Sequence, residues 1–237
     1  MAGSDPTAVL HLWGVPRSRV PHAVIFMASQ RRALRRCADL NFWKLLGTGS
    51  GRTFTMRDSD PLHWGLLSVW PDRDSALRFE HHRLVRQWSQ IASERLRVEL
   101  EPIASRGSWS GHQPFSHSVP ESPKVTGPVA AITRARIKPS HWRRFAAAVP
   151  EVAADLRDDP HLKFSVGIGE APIGLQGTFS IWTDAGALSQ FAYRRPAHAA
   201  VVEQTHRVQW YAEELFARFS VRALEGTYHG ASVDVAL

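Results

Sequence analysis

The sequence predicts an α+β fold in which two similar halves of one chain share a single barrel. Three observations carry that reading. Ser68-Val69-Trp70-Pro71-Asp72 returns as Ser180-Ile181-Trp182-Thr183-Asp184. Phe79 and Phe191 follow at the same offset, and the other landmarks keep one order: Leu40-Asn41-Phe42 with Leu162-Lys163-Phe164, then Trp88 with Trp210. Between the halves, residues 105–126 are rich in Ser, Pro and Gly and lack periodicity, as a linker does.

Each half reads as strand, helix, strand, strand, helix, strand. In the first half the strands are Ala8–Gly14, Phe42–Leu46, Trp64–Trp70 and Leu96–Pro102, with helices over His22–Ala38 and Asp74–Ala92. In the second half Pro128–Ile137 alternates and is rich in β-branched residues, so it reads as a strand. Trp142–Leu156 has apolar residues at three- and four-residue steps and reads as a helix. Lys163–Ile168 and Gly177–Trp182 are strands, Asp184 is a good N-cap for a helix over Ala185–Tyr193, a further helix follows Pro196, and Ala217–Leu224 closes as a strand. This βαββαβ order is the ferredoxin-like unit, which leaves one sheet face bare. A tandem repeat of two ferredoxin-like units covers both faces by packing sheet against sheet, an intramolecular α+β barrel. The expected organisation is repeat 7–104, linker 105–126, repeat 127–224 and tail 225–237.

Composition narrows the function. The chain has 237 residues, with 29 Lys+Arg against 22 Asp+Glu and a formal net charge of +7. Basic proteins attract nucleic acid or anionic membrane. The arginines are spread along the chain and none of the usual nucleic-acid motifs occurs, so nucleic acid is not the expected partner. Cys37 is the single cysteine, which excludes an internal disulfide and any multi-cysteine metal or iron–sulfur site. Without a signal-peptide pattern or a long apolar segment, a cytoplasmic location is expected. Nine Trp and twelve His suit a pocket for a flat cofactor, though counts alone name nothing.

The halves differ in two places. Phe42 to Trp70 is ten residues longer than Phe164 to Trp182, the surplus falling in and after Gly47-Thr48-Gly49-Ser50-Gly51. That stretch lacks the Lys-Ser/Thr of a phosphate loop and opens no helix, so it reads as a turn. Phe191 to Trp210 is ten residues longer than Phe79 to Trp88, the surplus falling at Arg194–His206. There His198, Val202 and Thr205 share a helical face that is apolar apart from its imidazole, which suits a histidine presented to haem iron. Arg194 and Arg195, one turn away, suit propionate carboxylates. A lone helical histidine is more often a surface or core residue than a ligand, and spacing leaves both readings open. The adjacent His81 and His82 point in different directions and read as solvated helix positions.

Six blocks then carry a resemblance. Phe42-Trp43-Lys44-Leu45-Leu46-Gly47-Thr48-Gly49-Ser50-Gly51 with Phe54-Thr55, Arg106–Gly111, Gly127–Ala135, Ile168–Pro172, Thr178–Trp182 and Trp210–Phe219 resemble the spheroidene monooxygenase family. The resemblance runs from about residue 8 to 223. It implies a haem-containing carotenoid oxygenase that uses O2 and a ferredoxin-type electron donor. The implied fold group is the dimeric α+β barrel, which also holds chlorite dismutases, dye-decolourising peroxidases and aldoxime dehydratases. The family's Pro-His-Ala segment matches Pro196-Ala197-His198-Ala199 with one residue inserted, which implies His198 as the axial ligand of haem b.

Further expectations follow from the resemblance. Trp43, Phe164, Phe179 and Trp182 are candidate pocket walls, with core packing as the plain alternative. Arg134 is the candidate distal, catalytic or propionate group, with an exposed strand arginine as its alternative. Where the family has His-Gln before the Thr-Phe-Ser-Ile-Trp strand, this chain has Leu175-Gln176. The chain departs from the family at this place, and an apolar natural product, including one oxidised at nitrogen, is the alternative to a carotenoid. The other classes kept open are a haem-dependent dehydratase or lyase, a non-enzymatic haem protein and a cofactor-free oxygenase. Peripheral membrane contact and a homodimer complete the expected partners.

Overall fold

The computed structural model describes residues 6–50, 58–115, 125–138, 140, 156, 158–170, 177–194 and 211–235. The described residues form nine strands: β1 Thr7–Gly14, β2 Phe42–Gly49, β3 Ser59–Trp70, β4 Glu94–Gly107, β5 Val129–Ile137, β6 Leu162–Gly169, β7 Gly177–Trp182, β8 Tyr211–Tyr228 and β9 Ala231–Ser232. The described helices are α1 Val20–Leu34, α2 Arg73–Glu80, α3 Arg83–Ile91 and α4 Ala185–Arg194. The expected helix over Trp142–Leu156, except Leu156 itself, and the helix expected after Pro196 lie outside the described residues, as does the interval 116–124.

Eight strands close into an antiparallel barrel in the order β4-β1-β3-β2-β6-β7-β5-β8, with β8 pairing back onto β4. Closure leaves no free edge in the ring. Counting strands from the start of each half and reading away from the β4–β8 pairing in both directions, both halves of the ring run fourth-first-third-second. The halves meet at two seams, a long β4–β8 ladder and a short β2–β6 ladder.

Strand alternation splits the apolar residues between two layers. Ala8, Leu10 and Leu12 of β1 point into the barrel with Leu67, Val98, Ile132, Val166, Phe179 and Phe219, all nearly inaccessible. An eight-stranded barrel is just wide enough for such side chains to fill it, so its interior is core and not a channel. Val9 and Trp13, one residue out of phase, face the helices with Trp70, Phe79, Trp88, Met27 and Leu34. The same layer in the second half is formed by Val129, Ala131, Trp182, Ala187, Leu188 and Phe191.

The recurring Ser-x-Trp-x-Asp segment has a physical basis that repeats atom for atom. Trp70 Nε1 donates to Ser68 Oγ at 3.0 Å, and Trp182 Nε1 donates to Ser180 Oγ at 3.0 Å, so each buried indole is satisfied by its own strand. Asp72 accepts from the Ser75 amide at 2.7 Å and Asp184 from the Ala187 amide at 2.9 Å, so each aspartate caps the next helix. Phe79 then packs on Trp70 (4.8 Å between centroids) and Phe191 on Trp182 (5.1 Å).

Three elements differ from expectation. The helix over Asp74–Ala92 is two helices, because His82 is extended (φ −70°, ψ 148°) and its Nδ1 accepts from the Leu84 amide, capping α3. β4 runs past Pro102 to Gly107, since a register shift between Pro102 and Ala104 absorbs the missing N–H. Residues 105–115 are thus not free linker: Trp109 and Phe115 are each 1% exposed and belong to the barrel core.

Candidate functional site

The register identifies equivalent positions in the two halves of the barrel, and several large side chains on the helix-facing side of the first are matched by small ones in the second. Val9, opposite Ser68, corresponds to Ala131, opposite Ser180. Two residues on, His11 corresponds to Thr133, and Trp13 to Ala135. On the next strands Trp43 corresponds to Ser165 and Leu45 to Gly167, by the same pairing with Ser68 and Leu66, or Ser180 and Thr178. Leu66 itself corresponds to Thr178.

In the first half this face is filled. His11 and Trp13 are fully buried and stack at 5.0 Å, and Trp88 from α3 stacks on Trp13 at 5.2 Å. Beneath them Glu80 accepts from His11 Nε2 at 2.8 Å, Arg97 Nε at 3.0 Å and Arg95. Burial pushes the Glu80 carboxyl up, but these three donors outweigh it and hold it well below the ordinary carboxylate range. Burial also lowers the His11 pKa, against the pull of Glu80. In the second half Thr133 is exposed, Ser165 and Thr178 are half-buried, and Arg218 stands exposed where Glu99 stands in the first. Among the described residues, Leu188 and Phe191 of α4 pack on this surface beside Trp182, Val129 and Ala131. Among the described residues, a floor of small side chains, half of them hydroxyl-bearing, with the cationic Arg218 beside it suits a flat ligand carrying carboxylates.

The residues singled out in the sequence do not converge on one pocket. Phe164 and Phe179 face the barrel interior, 6.2 Å apart between ring centroids. Trp43 faces the helix layer of the first half, and Trp182 that of the second. Phe179 and Trp182 are three residues apart on one strand, which places them on opposite faces. Arg194 closes α4, while Arg195 and His198 fall outside the described residues. Thr133 and Ser165 escaped notice because small residues carry no chemical signal alone, and Arg218 because its strand position was not compared with that of Glu99. Aligning the two halves strand by strand would have exposed them.

Arg134 points into the barrel, away from that face, and is 2% exposed. Its guanidinium donates to Glu213 at 2.5 Å and to Glu170 at 3.3 Å, and lies 5.2 Å from the Trp109 ring. Glu170 also accepts from Trp109 Nε1 at 2.6 Å and Lys44 Nζ at 2.9 Å. Glu213 accepts from the Gly111 amide at 2.8 Å and Ser108 Oγ at 3.2 Å. Burial raises the Glu213 carboxyl, but the Gly111 amide and Arg134 prevail and bring it down to about 2. This cluster clasps β2 of the first half, the turn after β4, β5, the end of β6 and β8. Lys44, Ser108, Trp109, Gly111, Arg134, Glu170 and Glu213 all fall inside the six blocks of family resemblance, so those blocks converge in space.

Whole-chain comparison agrees with that convergence. The chain is 33% identical over 214 residues to spheroidene monooxygenase of Rhodobacter capsulatus, covering 90% of this chain and 88% of that protein. It is 32% identical to the enzyme of the same name from Rubrivivax gelatinosus, covering 97% and 87%. The chain belongs to the spheroidene monooxygenase family. Membership makes it an oxidoreductase of the monooxygenase kind. The Cereibacter sphaeroides member, 32% identical over 86% of this chain, is longer, with 63% of its length matched. No family model matches the sequence. Among solved structures, aldoxime dehydratase in complex with butyraldoxime superposes with TM-score 0.58 at 13% identity, over 93% of this chain and 81% of that one. A second aldoxime dehydratase structure gives 0.54 at 12% identity, over 91% and 81%. These two similarities concern the fold alone.

Proposed function

We propose that this spheroidene monooxygenase relative is a cytoplasmic, haem b-dependent monooxygenase that oxygenates an apolar carotenoid-type substrate with O2 and electrons from an external ferredoxin-type donor. The observation that carries the cofactor is the run of small side chains on the helix-facing side of the second half, where Thr133 is exposed at the place of the fully buried His11. The residues present fit a haem. Ala131, Thr133, Ser165, Gly167 and Thr178 are small, as a face against a flat macrocycle requires, and Arg218, with Arg194 and Arg195, would supply cations for its propionates. His198, in the segment that follows α4, is the residue we assign to the iron, its other ring nitrogen donating to a carbonyl or carboxylate. When bound, haem supplies O2 activation and oxidising power that no side chain of this protein has. Leu188, Phe191 and Trp182 seal the adjoining layer against water, so the protein's part is to hold, orient and keep dry. The shared fourth-first-third-second strand order supports reading the barrel as a tandem pair of ferredoxin-like units, 7–104 and 127–224.

Helix α1 supports peripheral contact with an anionic bilayer, where an apolar substrate would dissolve. It exposes Val24 (51%) and Ile25 (59%), with Arg17, Arg19, Arg31, Arg32, Arg35 and Arg36 exposed around them. No acidic residue occurs from Val15 to Ala38. An apolar strip flanked by arginines matches a lipid surface bearing negative headgroups. Among the described residues, no helix is long and apolar enough to cross a membrane.

The deciding experiment is to purify the full chain with haem supplied and compare visible spectra of the wild type and His198→Ala. The expected result is a Soret band in the wild type and an altered ligand spectrum, or no bound haem, in the variant. A colourless wild type would overturn the cofactor. An unchanged spectrum in His198→Ala would overturn the ligand.

A further inference from the structure

We propose that Asp60, His63 and His229 form a second site, remote in chemistry from the haem surface, that takes one divalent first-row transition metal. The site lies where β3 begins, β4 begins and β8 turns into β9. One ligand atom from each residue lies within 4.8 Å of the other two. Asp60 Oδ1 accepts from the Leu62 amide at 2.8 Å, which fixes the carboxylate. Its Oδ2 then sits 2.6 Å from His63 Nδ1 and 3.5 Å from His229 Nε2. Two imidazoles and one carboxylate are the donor set of Zn2+, Fe2+ and their neighbours, and a small contraction brings three such atoms around one ion.

The surroundings argue for a metal more strongly than the ligands do. A ligating histidine normally donates its remaining N–H to a carboxylate. His63 Nε2 does so to Glu94 at 2.8 Å, and the ring is only 6% exposed. Glu94 is itself held by three other donors: Thr227 Oγ1 at 3.1 Å and the amides of His229 at 3.0 Å and Gly230 at 2.9 Å. With its lone pairs so taken, Glu94 orients His63 and is not needed as a ligand. The same two amides hold the β8–β9 turn in place, with His229 in the left-handed region at φ 52°. A non-glycine residue there is uncommon, and here the conformation carries the imidazole to 4.2 Å from the His63 ring between centroids. His63 presents its nitrogen from inside the barrel, while the His229 side chain is 62% exposed. Metal ions thus have a path from solvent, and positions remain for water. With Asp60 and Glu94 the two charges of the cation are balanced. Tyr228 and Phe164 pack edge to face behind the site, so it adjoins core and not a substrate cavity. The ion's role is a clip that ties the C-terminal hairpin of the second half to the first.

The test uses the full chain carrying haem, treated with chelator and dialysed against Zn2+, with bound zinc counted by elemental analysis and the melting temperature recorded. The expected result is one zinc per chain and a higher melting temperature for the wild type. His229→Ala, an exposed position that leaves the fold standing, should bind at least tenfold more weakly and lose the thermal shift. Asp60→Asn should do the same. His198→Ala should keep the zinc, which separates this site from the haem assignment. Zinc binding by His229→Ala equal to that of the wild type would overturn the proposal. So would a wild type that binds none, which would leave an ion-paired cluster only.

Discussion

Thr133 stands on β5 where His11 stands on β1, and the two differ completely in burial: His11 is fully buried, Thr133 exposed. Among the described residues, the helix-facing side of the first half is filled by His11, Trp13 and Trp88, while the matching positions of the second half carry only small side chains. The stacked indoles of Trp13 and Trp88 show what fills such an interface when no ligand is meant to enter it.

Filling the face of small side chains should therefore exclude the cofactor. Thr133→Trp adds a residue that favours strands at an exposed position, so the protein should fold normally. Haem uptake in a spectral titration should fall at least tenfold. Full uptake by this variant would place the haem elsewhere.

The filled face should behave as ordinary core. Trp13→Ala removes a fully buried indole and should lower stability by about 3–5 kcal/mol in urea denaturation. Thr133→Ala, on the matching face of the second half, should change it by less than about 0.5 kcal/mol.

Arg134 holds Glu213 and Glu170 of its own half in place, and these two carboxylates take the donors of Lys44, Ser108, Trp109 and Gly111 from the preceding half and its extension. Arg134→Met breaks a buried ion pair and should cost about 3 kcal/mol, with the spectrum of bound haem unchanged. Catalytic participation would appear instead as lost turnover at unchanged stability.

The same cluster sets an acid limit. The Glu213 carboxyl lies at about 2, below the ordinary 4.5, so its folded state binds fewer protons than the unfolded chain. Its contribution is complete above about pH 4.5 and is lost as pH falls toward 2. Melting temperature should decline through that window, and less steeply in Glu213→Gln.

Vesicle sedimentation checks α1. Binding to phosphatidylglycerol vesicles should exceed binding to phosphatidylcholine vesicles and fall with added salt. Ile25→Glu should reduce it several-fold.

Much of the fold was legible because the Ser-x-Trp-x-Asp segment is a physical unit: an indole satisfied by its own strand and an aspartate capping the next helix. Strand ends were less legible. Pro102 and the charged run Glu213-Glu214 look like stops, yet a register shift absorbs the first and Arg134 neutralises Glu213. The aromatic candidates misled because residue type was weighed without strand parity. The face of small side chains was hidden because its signal is what small residues lack, visible only against the other half.

The two seams of the barrel are unequal, and this has a mechanical consequence. Among the described residues, β4 and β8 are laced from Leu96 to Gly107, whereas β2 and β6 pair from Gly47 to Gly49 against Gly167 to Gly169. The ring therefore has a hinge side and a clasp side, the clasp fastened by Lys44 on Glu170. Opening there costs the fewest hydrogen bonds, so amides of the short ladder should exchange with deuterium before those of the long one. Gly167 belongs both to this clasp and to the floor proposed for the haem, so the barrel's weakest join lies at the edge of its working surface.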